Sequence, residues 1–562
     1  MQTLDWLVIG LFALALIAII AWVMRQKQNN ASDYFLGGKD ATWLAIGASI
    51  FASNIGSEHL IGLAGSGASS GMAMAHWEIQ GWMILLLGWV FVPFYTRSMV
   101  ITMPEFLERR FNPASRTILS VISLISYVLT KVAVTVYAGG LVFQQVFGID
   151  TLWGIDFFWI AAVGLVVITA IYTIIGGMKS VLYTSVLQTP ILLLGSVIIL
   201  VLGLKELGGW DEMMRICSAV EVNEYGDTMT NLIRDNRDAQ YPWLGALIGS
   251  AVIGFWYWCT DQFIVQRVLS GKNEKEARRG TIFGAYLKLL PVFLFLIPGM
   301  IAFALHQKLG SFLPMLPNGL PNSDAAFPTL VAKLLPAGVK GLIVCGILAA
   351  LMSSLASLFN SSSALFTIDF YQRFKPNTPP KKLVAIGQAA TVVIVILGIL
   401  WIPVMRSVGD VLYLYLQDVQ SVLAPGIAAA FLMGIVWKRT SAQGGMWGLI
   451  TGLVIGCTRL GAKIYYSNAG VEPGTDGSLF QYLFYDTNWL FFCGWMLLFC
   501  IAVVFIVSLC TKAPDERKIQ GLVFGTSTPE QRLATRQSWN AWDIINSIII
   551  LGITAAFYIY FW

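Results

Sequence analysis

The 562-residue chain is 57% hydrophobic and 12% charged, with a formal net charge of +5 and a mean hydropathy of +0.71. So few polar side chains cannot cover the surface of a soluble multidomain protein, and the small positive excess calls for no nucleic-acid surface. The composition describes a polytopic membrane protein.

Apolar runs of about 20 residues, the length that crosses roughly 30 Å of hydrocarbon, recur about fourteen times along the chain. They begin near Trp6, Trp43, Trp77, Ile118, Phe157, Val181, Trp243, Thr281, Gly341, Val384, Val411, Gly444, Asn488 and Trp542. Their lengths are helical, and the ten-residue alternation of an outer-membrane barrel is missing. The expectation is an all-α polytopic protein of an inner or plasma membrane. The first run is preceded by Asp5 and no basic residue and has no small-residue cleavage pattern, so it is predicted to stay as a helix. Six of the seven cysteines fall in spans or at their ends, with Cys217 in an outer loop, which suggests neither a disulfide framework nor a metal site.

Basic residues near span ends mark the cytoplasmic side, and here they alternate. One side receives Arg25, Lys27 and Lys39; Arg97, Arg109, Arg110 and Arg116; Arg267, Lys272, Lys275, Arg278 and Arg279; Arg373, Lys375, Lys381 and Lys382; and Lys512, Arg517, Lys518, Arg532 and Arg536. The intervening short loops are nearly free of Lys and Arg, with Arg406 the main exception. Both termini are therefore predicted outside.

Setting aside the first span (with its inner loop, 1–42) and the last three (438–562, with an inner polar loop at 511–540) leaves two sets of five, 43–204 and 243–437, joined by an outer loop at 205–242. Odd-numbered halves of equal length enter the membrane from opposite sides, the arithmetic of an inverted-topology repeat, in which the first helix of each half is interrupted. Both candidates carry polar breaks, Asn54 to His59 and Trp256 to Gln262. Ionisable groups at mid-membrane depth cost roughly 2.5–3.5 kcal/mol each and mark solute or ion pathways.

The polar residues inside spans divide by type. Neutral oxygens gather in Ser353, Ser354 and Ser357, where carbonyl and hydroxyl dipoles suit a small hard cation, although small residues also permit close helix packing. Unwound carbonyls of Ala52 and Ile55 could join them. A second group mixes donors and acceptors, Asn54, His59, Glu78, Lys288 and Gln417, with the aromatics Trp77, Tyr257, Trp258 and Tyr413. A polyhydroxylated ring needs that mixture, because each hydroxyl donates and accepts while its C–H face lies on an aromatic ring. The plainer readings are an ion pair between Glu78 and Lys288, core or belt aromatics, and a packing histidine at His59. No nucleophile–base pair or metal-ligand spacing indicates an enzyme.

Several long collinear segments resemble one family: Asp33 to Lys39, Ala52 to His59, Tyr172 to Met178, Trp256 to Gln262, Tyr286 to Lys288, Ser353 to Ser361 and Phe366 to Tyr371. The chain is similar over nearly its whole length to the sodium/glucose cotransporters of the solute:sodium symporter family. The resemblance implies a LeuT-like 5+5 inverted-repeat fold and sodium-coupled uptake of a hexose, glucose or galactose type, with a polyol such as inositol or another small polar solute as alternative. A sodium-dependent sensor or channel-like protein is the reading from a different class. By resemblance, sodium would be held by the carbonyls of Ala52, Ile55 and Ala350 and the hydroxyls of Ser353 and Ser354. The sugar would meet Asn54, His59, Glu78, Tyr257, Trp258, Lys288 and Gln417. Tyr257 would form the inner gate, and Leu63, Trp77 and Tyr413 the outer one. His59 and Trp256 to Gln262 look more like the animal glucose carriers than the bacterial galactose carrier, which has Gln at the His59 position. The second sodium site of some relatives is degraded here, since its acidic position is Ser185 and a companion hydroxyl is Ala356, beside Ser357. One sodium per sugar is therefore expected. Sugar, sodium and the lipid bilayer are the implied partners, and nothing in the residues specifies an oligomeric state.

Overall fold

The computed structural model describes residues 2–26, 28–56, 58–316, 319–408, 412–471, 474 and 477–562, with the side chains of residues 129, 145, 404–408, 412–416 and 468 outside the description. Among the described residues, twelve helical runs are long and apolar enough to cross a membrane. About fourteen were expected, and two places account for the difference. The first is a single run of 51 residues, α4 (Phe157–Leu207). At 1.5 Å per residue it would extend about 77 Å, more than twice the hydrocarbon thickness. Gly177 interrupts it with φ 52° and ψ −145°, a conformation open to glycine, and there a Cβ would collide with Tyr34.

The second place is the region of polar residues first noticed in the sequence. Helix α2 (Trp43–Asn54) stops where Ile55 turns extended, with φ −81° and ψ 107°. The chain resumes as one wide turn, Glu58–Leu63, then α3 (Ala64–Ser70), which ends at Gly71 with φ 68°. Alone, α2 is too short to span, and the resumed part runs on towards Ser98 as one apolar stretch. The other expected interruption is also present. After Trp243–Gly254 the helix widens over Phe255–Thr260, Asp261 is extended, and α5 (Gln262–Leu269) begins with the Asp261 carboxylate accepting from Phe263 N–H at 3.3 Å. In both cases the polar residues stand where the helical ladder opens, so they supply or receive bonds that the backbone has released.

The core packs these interrupted helices against continuous ones. Helix α2 lies on α6 (Glu274–Lys288), on α4 and on α7 (Val339–Ala364), while α4 and α7 share the most extensive interface of the molecule. The first helix, α1 (Thr3–Met24), packs on α4 and α7, and its buried Asp5 accepts from the N–H groups of Gly338 and Gly341 at 2.7 and 2.9 Å. On the other flank α8 (Leu412–Val436) packs with α9 (Ala442–Asn468) and α10 (Trp489–Cys510), and α11 (Ala541–Tyr560) leans on α6. The long connections after α4 and before α7 carry short helices, Trp210–Ser218 and Ala326–Leu334. One departure from an all-helical chain is a small hairpin, Thr151–Leu152 against Ile155–Asp156.

Candidate substrate cavity and ion site

A narrow cavity of about 60 Å³ lies between the two interruptions. All seven residues expected to meet the sugar line it: Asn54, His59, Glu78, Tyr257, Trp258, Lys288 and Gln417. Trp77, expected at the outer gate, is also in its wall and stacks on Trp489 with centroids 5.6 Å apart. Leu63 is fully buried and is absent from the wall, so it does not join the other gate residues there. The Tyr413 side chain lies outside the described residues.

The wall is electrostatically organised by two buried ion pairs. Lys288 Nζ stands 2.6 Å from Glu78 Oε2, and the same oxygen is 3.4 Å from His59 Nε2, which in turn approaches Asn54 Nδ2 at 3.4 Å. The plain reading of Glu78 and Lys288 as partners is thus correct, and the pair is also part of the cavity surface. The second pair was not anticipated. Lys131 Nζ contacts Asp261 Oδ2 at 2.6 Å, Tyr127 donates its hydroxyl to the other oxygen, and the ammonium sits 4.7 Å from the centroid of the Tyr257 ring. A cation over an aromatic face in a dry site contributes on the order of 1–2 kcal/mol, enough to bias where the Tyr257 ring rests. Lys131 is a charge inside an apolar run and could have been flagged on that ground. Its partner, 130 positions away, could not.

Among the described residues, Trp77 Nε1, Gln417 Oε1 and Glu58 Oε2 on the wall have no hydrogen-bond partner. An unmade hydrogen bond at a buried donor or acceptor costs about 1–3 kcal/mol. The cavity therefore offers one donor and two acceptors to whatever enters it.

The neutral oxygens lie in the seam between α2, α4 and α7. Ser353 Oγ is 3.1 Å from Ser185 Oγ, Ser357 Oγ donates to the Ser353 carbonyl at 2.6 Å, and Ser357 and Ser53 share a hydroxyl contact of 2.7 Å. Ser354 reaches the cavity wall, while Ala52, Ile55, Ala350 and Ala356 are buried beside it along the same helices. The positions expected for the complete and the degraded ion sites are therefore contiguous, with Ser353 touching Ser185. The end of α2 leaves last-turn carbonyls without helical N–H partners, so this donor set fits a small cation that prefers neutral oxygen. Arg267 is the residue that sequence reasoning missed here. It is fully buried, its Nε donates to Ser53 Oγ at 2.9 Å, and among the described residues both terminal nitrogens have no hydrogen-bond partner.

Interrupted membrane helices around a polar, charge-bearing cavity, with a neutral-oxygen cluster behind one break, define a multi-pass transporter of ion-coupled type. A family model described as the sodium:solute symporter family matches residues 34–452. The chain belongs to that family, and sodium is its co-transported ion. It is 38% identical over 548 residues to the mouse (Mus musculus) sodium/myo-inositol cotransporter 2, covering 94% of this chain and 80% of the relative. It is 35% identical over 564 residues to the zebrafish (Danio rerio) sodium/glucose cotransporter 4, covering 96% and 84%. Against the rabbit (Oryctolagus cuniculus) sodium/glucose cotransporter 1 it is 37% identical over 540 residues, covering 91% and 80%. Among solved structures, a sodium-coupled sialic acid symporter in a substrate-bound outward-open state superposes with a TM-score of 0.74 at 23% identity, covering 92% of this chain and 99% of the other. That similarity establishes the shared LeuT-like fold.

Proposed function

We propose that the chain couples the entry of one sodium ion to the entry of one small polyhydroxylated ring, with a hexose as the first reading. The observation that carries this is the cavity wall: unpartnered Trp77 Nε1 and Gln417 Oε1, the Glu78–Lys288 pair and the faces of Tyr257 and Trp258. A ring bearing hydroxyls on its edge and C–H groups on its faces satisfies all of these together. An anionic solute would need an unpaired cation, whereas Lys131 and Lys288 are already matched to Asp261 and Glu78. A cyclic polyol of the inositol type is the second reading, favoured by the name and 38% identity of the mouse relative. In both readings the sugar set is Asn54, His59, Glu78, Tyr257, Trp258, Lys288 and Gln417, and the sodium set is Ala52, Ile55, Ala350, Ser353 and Ser354. Residues 43–204 and 243–437 act as the two repeats, and the basic loops face the cytoplasm.

In this mechanism sodium orders the end of α2, and the same break holds Asn54 and His59 towards the solute. A ligand shifts such an equilibrium only by its difference in affinity for the two states, so loss of the ion cage weakens solute binding without touching a solute contact. The missing carboxylate at Ser185 and missing hydroxyl at Ala356 leave one ion per cycle. One charge crossing about 100 mV contributes roughly 2.3 kcal/mol, and a tenfold sodium gradient adds about 1.4 kcal/mol, together sustaining a solute gradient of about 500-fold. The test is uptake into proteoliposomes with and without a sodium gradient, with glucose, galactose and myo-inositol in competition and charge counted per solute. A ratio near one and uphill, sodium-dependent uptake are expected. A ratio near two refutes the single ion, and sodium-independent or solely downhill flux favours a channel-like or sensing protein.

A further inference from the structure

A second concavity lies far from the cavity, where α8 and α10 end and α9 begins, on the face that carries the basic loops. It is an open hollow of about 560 Å³, lined by Lys438 and Arg439 from the connection after α8, and by Glu516, Arg517, Gly525 and Thr526 from the segment after α10. Basic residues on this face need no explanation beyond topology, so their partners decide whether they do more. Arg109 pairs with Glu105, Arg116 with Glu108 and Asp369, Arg278 with Glu274 and Arg279 with Asp543. Among the described residues Lys438, Arg439 and Arg517 have no ion pair, although all three converge on one hollow with Glu516 as its single carboxylate.

The hollow is also held in shape. Phe524 N–H donates to the Ile435 carbonyl at 2.9 Å, tying the segment to the end of α8, and Lys518 Nζ reaches the Phe111 carbonyl at 2.7 Å. Arg439 Nη2 donates to the Thr511 carbonyl at 2.8 Å, which fixes the guanidinium plane while Nη1 is buried without a partner. A guanidinium held in place by a backbone carbonyl, beside an ammonium and a second guanidinium, is suited to a tetrahedral oxyanion. Val436, Leu509 and Phe524 expose apolar side chains next to it, and basic pockets at the ends of spanning helices sit at the depth of lipid headgroups.

We propose that this hollow binds a phosphate group, carried by an anionic membrane lipid whose acyl chains lie along Val436, Leu509 and Phe524. Because α8 also carries Gln417 and Gln420 of the cavity wall, its occupancy bears directly on a helix of the transport site.

The test uses the purified full-length chain in mixed phosphatidylglycerol–phosphatidylcholine nanodiscs, with bound lipid counted by native mass spectrometry after detergent extraction. The variant K438Q/R439Q/R517Q is compared with K375Q/K381Q/K382Q, which removes equal charge from the same face outside the hollow. The unaltered chain and the control are expected to retain phosphatidylglycerol over phosphatidylcholine, and the hollow variant to lose that preference by roughly tenfold or more. Equal retention by the hollow variant, or equal loss by the control, overturns the proposal. Stabilisation by inorganic phosphate over chloride at matched sodium and ionic strength, abolished in the hollow variant and without lipid retention, upholds the phosphate site and assigns it to a soluble anion. Unfolding temperature in pure phosphatidylcholine monitors folding of both variants, and a hollow variant that fails this check is replaced by the single change R439Q with the same criteria.

Discussion

The cavity wall and the serine seam behind it are neighbours built on opposite principles. In the wall, two charge pairs are present, Glu78 with Lys288 and Asp261 with Lys131, beside the Glu58 carboxyl. In the seam, Ser53, Ser185, Ser353 and Ser357 contact one another through neutral oxygens, and the formal charge at its edge is the incompletely satisfied Arg267. Paired charges present many directed donors and acceptors without a net field, which suits a neutral solute with many hydroxyls. Neutral dipoles converging on a point suit a bare cation, and the nearby guanidinium works against it. The two regions meet at the end of α2, where Asn54 faces the cavity and Ser53 the seam, so one break serves both.

This contrast can be broken or sharpened, starting with the largest expected effect. Glu78→Ala strands the buried Lys288 ammonium and should cost about 3–5 kcal/mol of stability together with solute binding. Adding Lys288→Ala should restore the unfolding temperature but not solute affinity, and a single variant as stable as the parent would mean the pair is not what organises the wall. Ser353→Ala and Ser354→Ala should raise the half-saturating sodium concentration by about tenfold, equivalent to about 1.4 kcal/mol, while solute affinity at saturating sodium stays near that of the parent. Sodium titration of uptake checks this, and unchanged sodium dependence removes the seam from the ion site. Gln417→Ala should raise the solute KM by about fivefold with no change in sodium dependence, since it deletes one acceptor. A parallel loss of both dependences would erase the distinction between wall and seam.

The smallest effect concerns a turn apart from both regions. Asp324 lies in a short turn packed against Gly65 of α3, and burial pushes its carboxyl up to about 6 from the ordinary 3.8. The folded chain thus binds the proton more tightly than the unfolded chain. The stabilisation is complete below the ordinary value and lost as pH rises through about 6. Between pH 5 and 7.5 the parent should lose up to about 1 kcal/mol, reduced by solvent at a partly exposed group, and Asp324→Asn should lose none. Thermal unfolding at the two pH values distinguishes them.

Both helix interruptions were legible in the sequence, because Asn54 to His59 and Trp256 to Gln262 place polar groups where an uninterrupted helix would have to bury them unsatisfied. The residue types also separated solute-facing from ion-facing candidates before any geometry. Lys131 and Arg267 were passed over as sites: the first is a lone charge in an apolar run, the second falls among basic residues that topology already explains. Leu63 was assigned to the outer gate, yet the turn at Glu58–Leu63 buries it away from the cavity wall.

What the sequence determined by itself was the membrane environment, the helical class, the two breaks and the chemical types of two groups of polar residues inside the spans, since hydropathy and polarity are local properties of the chain. Only the tertiary structure decided that Asp261 answers Lys131, that Ser185 touches Ser353, and that Arg267 reaches Ser53. These contacts join residues more than 100 positions apart, and no spacing along a helix encodes which distant side chain will neutralise a buried charge.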